Sequence, residues 1–322
     1  LIYADDVILV GNEQETMQQM KNYLDREFSI KDLGTLKYFL GVEVARSSHG
    51  IFLSQGKYVL DILKETGMGM QGCRPSKFPM EQNCKLQASD DEQDTDVTRY
   101  RRLVGRLLYL TVTRPDITYA VNTLCQFVTT PKQRHMDAVE RVLCYLKSTP
   151  GQGILLKSGA ELRLEAYCDA DWGGCPFTRR SCTGYMIMLG GSPISWRSKR
   201  QIVVAKSSAE AEYRAMAATV SEVIWLRWLL TELGASQQEA TTMFCDNQAA
   251  LHIAMNPVFH ERMKHVEMDC YFVPERVQSG EIMPTKIWTK EQVADMFTKP
   301  LGKDRFESLL SKLGFANLHA PT

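Results

Sequence analysis

The chain has no apolar run long enough to cross a bilayer, although 44% of its 322 residues are hydrophobic, so a soluble protein is expected. It also lacks any CxxC pair. Its nine cysteines, at positions 73, 84, 125, 144, 168, 175, 182, 245 and 270, follow no zinc spacing, which removes the common structural zinc modules. Their odd number and their place inside apolar segments favour reduced, buried thiols and an intracellular setting. There is no net charge, since 38 Lys and Arg balance 38 Asp and Glu, so whole-chain electrostatics says nothing about nucleic acid. Signal peptide, internal repeat and low-complexity tract are all absent. The chain opens at Leu1 inside a strand-like run without Met, which leads us to expect a piece of a longer protein. Its length suits two or three domains with real cores.

What is present is local. Basic residues cluster at Arg99, Arg101, Arg102 and Arg106, at Arg179 and Arg180, and at Arg197, Lys199 and Arg200. Such clusters either track a phosphate backbone or form a solvated face, and charge alone does not separate the two. Periodicity predicts a strand–turn–strand over 1–10, a helix over 13–28, a hairpin over 36–53 and a helix over 57–66. A polar stretch over 87–96 reads as a linker, and 150–153 as a second boundary. Between them lie helices over 99–112, 117–128 and 135–147. The remainder alternates: strands over 162–168, 184–189, 192–197, 202–205, 241–245 and 284–288, and helices over 209–233, 247–254 and 266–277. A last helix begins at 292–297. Trp225, Leu226, Trp228, Leu229 and Leu230 recur at helical spacing and are expected to face the core. Pro274 falls inside the helix over 266–277, where it is expected to kink it at a cost of about 3 kcal/mol.

Four acids in the second half stand where a two-metal centre needs them: Asp169 and Asp246 at strand ends, Glu212 in the first turns of a long helix and Asp295 in a short one. Hard divalent cations prefer carboxylate oxygens, and two of them about 4 Å apart activate a water and stabilise the leaving oxygen of a phosphodiester. Asp171, two residues along the same strand face, competes with Asp169, and Glu210 competes with Glu212. Asp246 also stands where it could cap the following helix. His260 and His265 are open between a ligand role and a structural one.

The ordered set of motifs carries a resemblance. Asp169-Ala-Asp-Trp-Gly173, Arg179-Arg-Ser-Cys-Thr-Gly-Tyr185, Ser195-Trp-Arg-Ser-Lys199, Ser207-Ser-Ala-Glu-Ala-Glu-Tyr213, Cys245-Asp-Asn247 and Ala294-Asp-Met-Phe-Thr-Lys-Pro-Leu301 resemble the RNase H domain of copia-type LTR retrotransposon Pol polyproteins. Tyr3-Ala-Asp-Asp6 is similar to the reverse-transcriptase YxDD hairpin. Tyr38-Phe-Leu-Gly-Val-Glu43, Leu103-Val-Gly-Arg-Leu-Leu-Tyr109 and Thr113-Arg-Pro-Asp-Ile117 match the segments that follow it.

The resemblance implies a fold that is α/β and α+β. Residues 1–86 would be the end of the palm and start of the thumb, 97–150 a helical thumb and connection, and 160–302 an RNase H-like mixed sheet with flanking helices. It implies Asp169, Glu212, Asp246 and Asp295 as catalytic carboxylates on two Mg²⁺ ions, with Mn²⁺ as the alternative. Glu212 is preferred to Glu210 because Glu-Tyr-x-Ala fits the family's helix. Asp5 and Asp6 would be the last part of a polymerase metal site whose other residues precede Leu1. Arg179, Arg180, Lys199, Arg200 and Asn247 would contact nucleic acid. The activity implied is hydrolysis of the RNA strand of an RNA–DNA hybrid; polymerisation would need a longer protein. The partners implied are the hybrid, the element's RNA and cDNA and the N-terminal part of the polyprotein, with no membrane. The setting would be cytoplasmic, in a particle, or nuclear. Tyr271 and Pro274 depart from the family pattern, which points to a drifting copy, and a non-catalytic remnant that at most binds nucleic acid is the rival reading.

Overall fold

A computed structural model describes residues 2–4, 6–67, 74–82, 84, 86, 92–256 and 267–317, the side chains of 267–270 and 316–317 aside. Among them, no helix is long and apolar enough to cross a membrane.

The second half is built on strands β7 (Leu164–Asp171), β8 (Cys182–Leu189), β9 (Ser192–Arg200), β10 (Thr241–Cys245) and β11 (Ile282–Lys286). Their order is β11-β10-β7-β8-β9. The β7-β8-β9 meander is antiparallel, β10 lies parallel to β7, and β11 lies parallel to β10. A meander joined on its first strand to two parallel strands is the RNase H-like sheet. Strand β7 alternates as a two-sided strand should. Leu164, Ala166 and Cys168 pack with Met216, Val220 and Val223 of helix α6 (Ser208–Glu232), while Tyr167 packs against the other core. Helices α7 (Gln248–Met255) and α8 (Glu267–Gln278) join α6 on that face, and α8 continues through Pro274.

The first half carries an isolated hairpin, β1 (Ile2–Tyr3) with β2 (Asp6–Val7), then α1 (Gln14–Phe28). A second sheet follows from β3 (Tyr38–Phe39), β4 (Val42–Ser47) and β5 (Gly50–Ser54), and the chain continues into α2 (Gly56–Glu65). Helices α3 (Val97–Leu110), α4 (Thr118–Leu124) and α5 (Gln133–Ser148) pack on the opposite face of the large sheet. One core holds Val59 and Ile62 of α2, Leu103 and Leu107 of α3, Val142 of α5, Met186 and Met188 of β8, and Phe297. Beneath it, Arg114 is fully buried. Its guanidinium donates to Asp116 at 2.8 Å and to the Thr149 carbonyl at 2.8 Å, while Tyr145 and Gln152 also donate to Asp116 Oδ2.

Several expectations need correction. The boundary stretch at 150–153 leads into strand β6 (Gln152–Lys157), which pairs with β5. Past the short 3₁₀ turn at Val293–Phe297 come helix α9 (Lys303–Lys312) and strand β12 (Phe315–Asn317). Strand β12 closes the second sheet in the order β12-β6-β5-β4-β3. Residues 202–205 are not a strand: β9 already ends the sheet at its edge, and Ile202 stands 79% exposed in the connection to α6. Trp225, Trp228 and Leu229 are exposed, whereas Leu226 and Leu230 are buried. The cause is facing: Trp225 and Trp228 continue the outer stripe of α6 through Arg214, Ala218 and Ser221, three to four residues apart, while Val223, Leu226 and Leu230 continue the covered one. Not every thiol is reduced either: Cys84, Cys125, Cys168, Cys175, Cys182 and Cys245 are free, but Cys144 is disulfide-bonded.

Candidate active site

Strands β7 and β10 run parallel and end at the same edge, each with a cysteine followed by an aspartate, Cys168-Asp169 and Cys245-Asp246. Helix α6 starts nearby, with Ser207 accepting from the Glu210 N–H as its cap at 3.2 Å. Glu212 lies on the buried face that continues as Ala215, Met216 and Thr219, so a carboxylate interrupts an apolar stripe. Ligand atoms of Glu212, Cys245 and Asp246 lie within 4.8 Å of one another.

The fourth acid arrives by packing. The 3₁₀ turn at Val293–Phe297 presses on β8 at Gly184, the residue paired with Asp169. A Cβ at Gly184 would stand 2.6 Å from Thr298 Cγ2 and 2.8 Å from Phe297 Cβ, so only glycine lets the turn approach. Gln292 pins it: Nε2 donates to the Cys168 carbonyl at 3.0 Å and Oε1 accepts from the Ala294 N–H at 3.2 Å. Asp295 is then tied by two cations, Lys299 Nζ at 2.7 Å from Oδ1 and Arg305 Nη2 at 2.9 Å from Oδ2. Lys299 also lies 3.5 Å from Asp169 Oδ2, which accepts a hydrogen bond from the Thr298 hydroxyl.

Crowding of buried acids sets the electrostatics. Burial, then the charges of Asp169, Cys245 and Asp246, push Glu212 up to about 10. Burial raises Asp169 to about 6 against the pull of Lys299. Burial lowers Lys299, but the charges of Asp169 and Asp295 outweigh it and hold the ammonium above its ordinary range. Glu212 is only 6% exposed, and its Oε2 is buried with no hydrogen-bond partner among the described residues. An orphaned carboxylate oxygen with Asp246 in the same cluster, and Asp169 near enough for its charge to act on it, suits a hard divalent cation, although the third ligand atom of the cluster is the softer Cys245 thiol.

The competing acids have other work. Asp171 accepts from the Cys182 N–H where the β7–β8 ladder ends, and burial raises it to about 7. Glu210 accepts from the Lys206 N–H at 2.8 Å and pairs with Arg214 at 3.2 Å. Asn247, not Asp246, caps α7, its Oδ1 accepting from the Ala250 N–H at 3.0 Å, so the Asp246 carboxylate is not spent on that bond. Arg179, Arg180 and Lys199 are exposed and Arg200 half-buried. Lys199 and Arg200 lie in the strand rows of Ala170 and Asp171, which places them toward the carboxylate end of the sheet. Asp6 sits exposed on the β1–β2 hairpin, which joins no other strand among the described residues; Asp5, His260 and His265 lie outside them. Sequence reading missed the roles of Gly184, Gln292, Thr298, Lys299 and Arg305. Only Gly184 left a signal, as a glycine inside a strand.

Residues 1–82 match the family described as reverse transcriptase (RNA-dependent DNA polymerase). The chain is similar to the retrovirus-related Pol polyprotein from transposon RE1 of Arabidopsis thaliana, 45% identical over 314 residues, covering 98% of this chain and 21% of that protein. It is also similar to the putative transposon Ty5-1 protein YCL074W of Saccharomyces cerevisiae, 33% identical over 225 residues, covering 69% of this chain and 72% of that protein. Among solved structures, LC11-RNase H1, isolated from compost, is 13% identical and covers 46% of this chain and 99% of its own, with a TM-score of 0.33. The chain spans about a fifth of the length of the Pol polyproteins it matches, 21% for RE1 and 24% for TNT 1-94 of Nicotiana tabacum. It belongs to the Pol polyprotein family of copia-type LTR retrotransposons.

Proposed function

We propose that this chain carries the carboxylate centre of a ribonuclease H, which hydrolyses the RNA strand of an RNA–DNA hybrid with Mg²⁺ or Mn²⁺, within a longer reverse transcriptase/RNase H. The observation that carries the reading is the buried, unpartnered Glu212 Oε2 beside Asp246 and Asp169. Leaving such a group unmet costs about 1–3 kcal/mol or more, and a site that cost stability without return would have no reason to keep it. Asp169, Glu212, Asp246 and Asp295 would hold the cations, which supply an activated water and charge stabilisation on the leaving oxygen. Arg179, Arg180, Lys199 and Arg200 would grip phosphates, and the amide of Asn247 has donors left after capping α7. Hybrid selectivity would come from groove shape and 2′-hydroxyl contacts. The element's RNA and cDNA, and the part of Pol ahead of Leu1, would be the partners. Segments 1–86, 97–150 and 160–302 would serve as palm end, thumb and connection, and nuclease. Asp5 and Asp6 would act only in the complete polymerase.

A rival remnant reading, binding without chemistry, draws on the pairing of Asp295 by Lys299 and Arg305, since those cations already neutralise one of the four acids. Hybrid cleavage by the purified chain with Mg²⁺ or Mn²⁺ separates the two. Wild type should cleave, and Asp246→Asn should not, while hybrid binding stays level or tightens slightly as a negative charge is removed. No cleavage by folded wild type would favour the remnant.

A further inference from the structure

The four acids are not equivalent. On one side stand Glu212 and Asp246 with the Cys245 thiol beside them, and the buried Glu212 Oε2 has no hydrogen-bond partner among the described residues. On the other stand Asp169 and Asp295, and a side chain already sits between them. Lys299 Nζ is 2.7 Å from Asp295 Oδ1 and 3.5 Å from Asp169 Oδ2. Its backbone follows the turn that delivers Asp295, with the Lys299 N–H donating to the Asp295 carbonyl at 3.3 Å. The ammonium is therefore aimed by the same segment that places the acid.

We propose that Lys299 is a resident counter-cation that occupies the Asp169–Asp295 half of the cluster and is displaced when a divalent cation binds there. The inference rests on the carboxylate-centre reading above. Two unit charges of one sign cannot share a carboxylate pair cheaply at 3–4 Å separations, so a divalent ion entering this half must meet or expel the ammonium. Lys299 can leave: its side chain is 38% exposed, against 3% for Asp169 and 6% for Asp295. Arg305 has less freedom, because its guanidinium also donates to the carbonyls of Thr289 and Lys290. The Glu212–Asp246 half has no such occupant among the described residues. Lys299 thus acts as a positioning residue: it holds the acids together before the metal arrives and weakens the metal's hold afterwards.

The test is Mg²⁺ binding by calorimetry, read beside melting temperature, on wild type, Lys299→Met and Lys299→Arg. Without metal, Lys299→Met should melt below wild type because the carboxylates lose their counter-charge. With Mg²⁺ it should bind about tenfold tighter and gain more melting temperature than wild type does. Lys299→Arg, which keeps the charge, should stay near wild type. A merely structural lysine would weaken binding when removed, so equal or weaker binding by Lys299→Met overturns the proposal. If neither protein binds Mg²⁺, the carboxylate-centre reading fails and takes this one with it. On wild type itself, amine-reactive labelling of Lys299, read by mass spectrometry, should rise when Mg²⁺ is added. Unchanged labelling would overturn the proposal even if the variants do not fold.

Discussion

Glu212 is a group that folding holds in the wrong charge state at neutral pH. Its folded pKa near 10 lies above the ordinary 4.5, and Asp169 and Asp171 shift upward too. Between the unfolded and folded values the native state binds more protons, so stability falls as pH rises. The metal-free protein should therefore melt at a higher temperature at pH 5 than at pH 8. Glu212→Gln should flatten that slope and raise the pH 8 melting temperature, and a pH series by calorimetry checks both. A cation binding the folded state should also restore stability at pH 8. Gly184 makes a second case. Gly184→Val would drive a side chain into Thr298 and Phe297, costing about 1–3 kcal/mol by overpacking. Because the displaced turn carries Asp295, Mg²⁺ affinity should drop along with the melting temperature; a variant that loses neither would show that the turn seats elsewhere.

At the scale of elements, the buried Arg114–Asp116 pair joins the end of α3 to α5 and β6 through Thr149, Tyr145 and Gln152. Removing one partner strands a buried charge, so Arg114→Met should destabilise by roughly 3–5 kcal/mol, measured by urea unfolding. Arg114→Met with Asp116→Leu should recover part of that loss. The sequence made this stretch visible only as a motif, Thr113-Arg-Pro-Asp-Ile117, with no hint that the pair is buried. Periodicity was a sound guide where an element has one covered face: α2, α3, α5 and most of α6 lie within a few residues of their expected bounds. It failed where partners are distant. Residues 202–205 look like a strand but have no neighbour to pair with among the described residues, and Trp225 and Trp228 look like core but lie on the outer stripe of α6. The acids of the candidate site were visible in the sequence as acids at element ends. The cations that hold it, Lys299 and Arg305, were not, because their partners lie on a turn whose position depends on a glycine more than a hundred residues earlier.

Across the whole molecule, the residues that close the structure come late. Helix α9 supplies Arg305 to Asp295 and buries Phe306 and Leu309 in the core shared with α2–α5, each worth about 1.5–3 kcal/mol. A chain cut after residue 302 should lose several kcal/mol and self-associate in light scattering, since β6 would become an open edge. If that chain stayed monomeric with an unchanged melting temperature, α9 and β12 would be accessory. The same return of β12 to β6 bears on how the protein is made. Strand β6 is complete at residue 157, but its last neighbour begins at residue 315. On a ribosome adding roughly 5–20 residues per second, that edge stays unpaired for on the order of ten to thirty seconds. During that interval the nascent sheet can pair with any other nascent chain, so translation speed and chaperone cover should govern the yield of folded protein more than its final stability does.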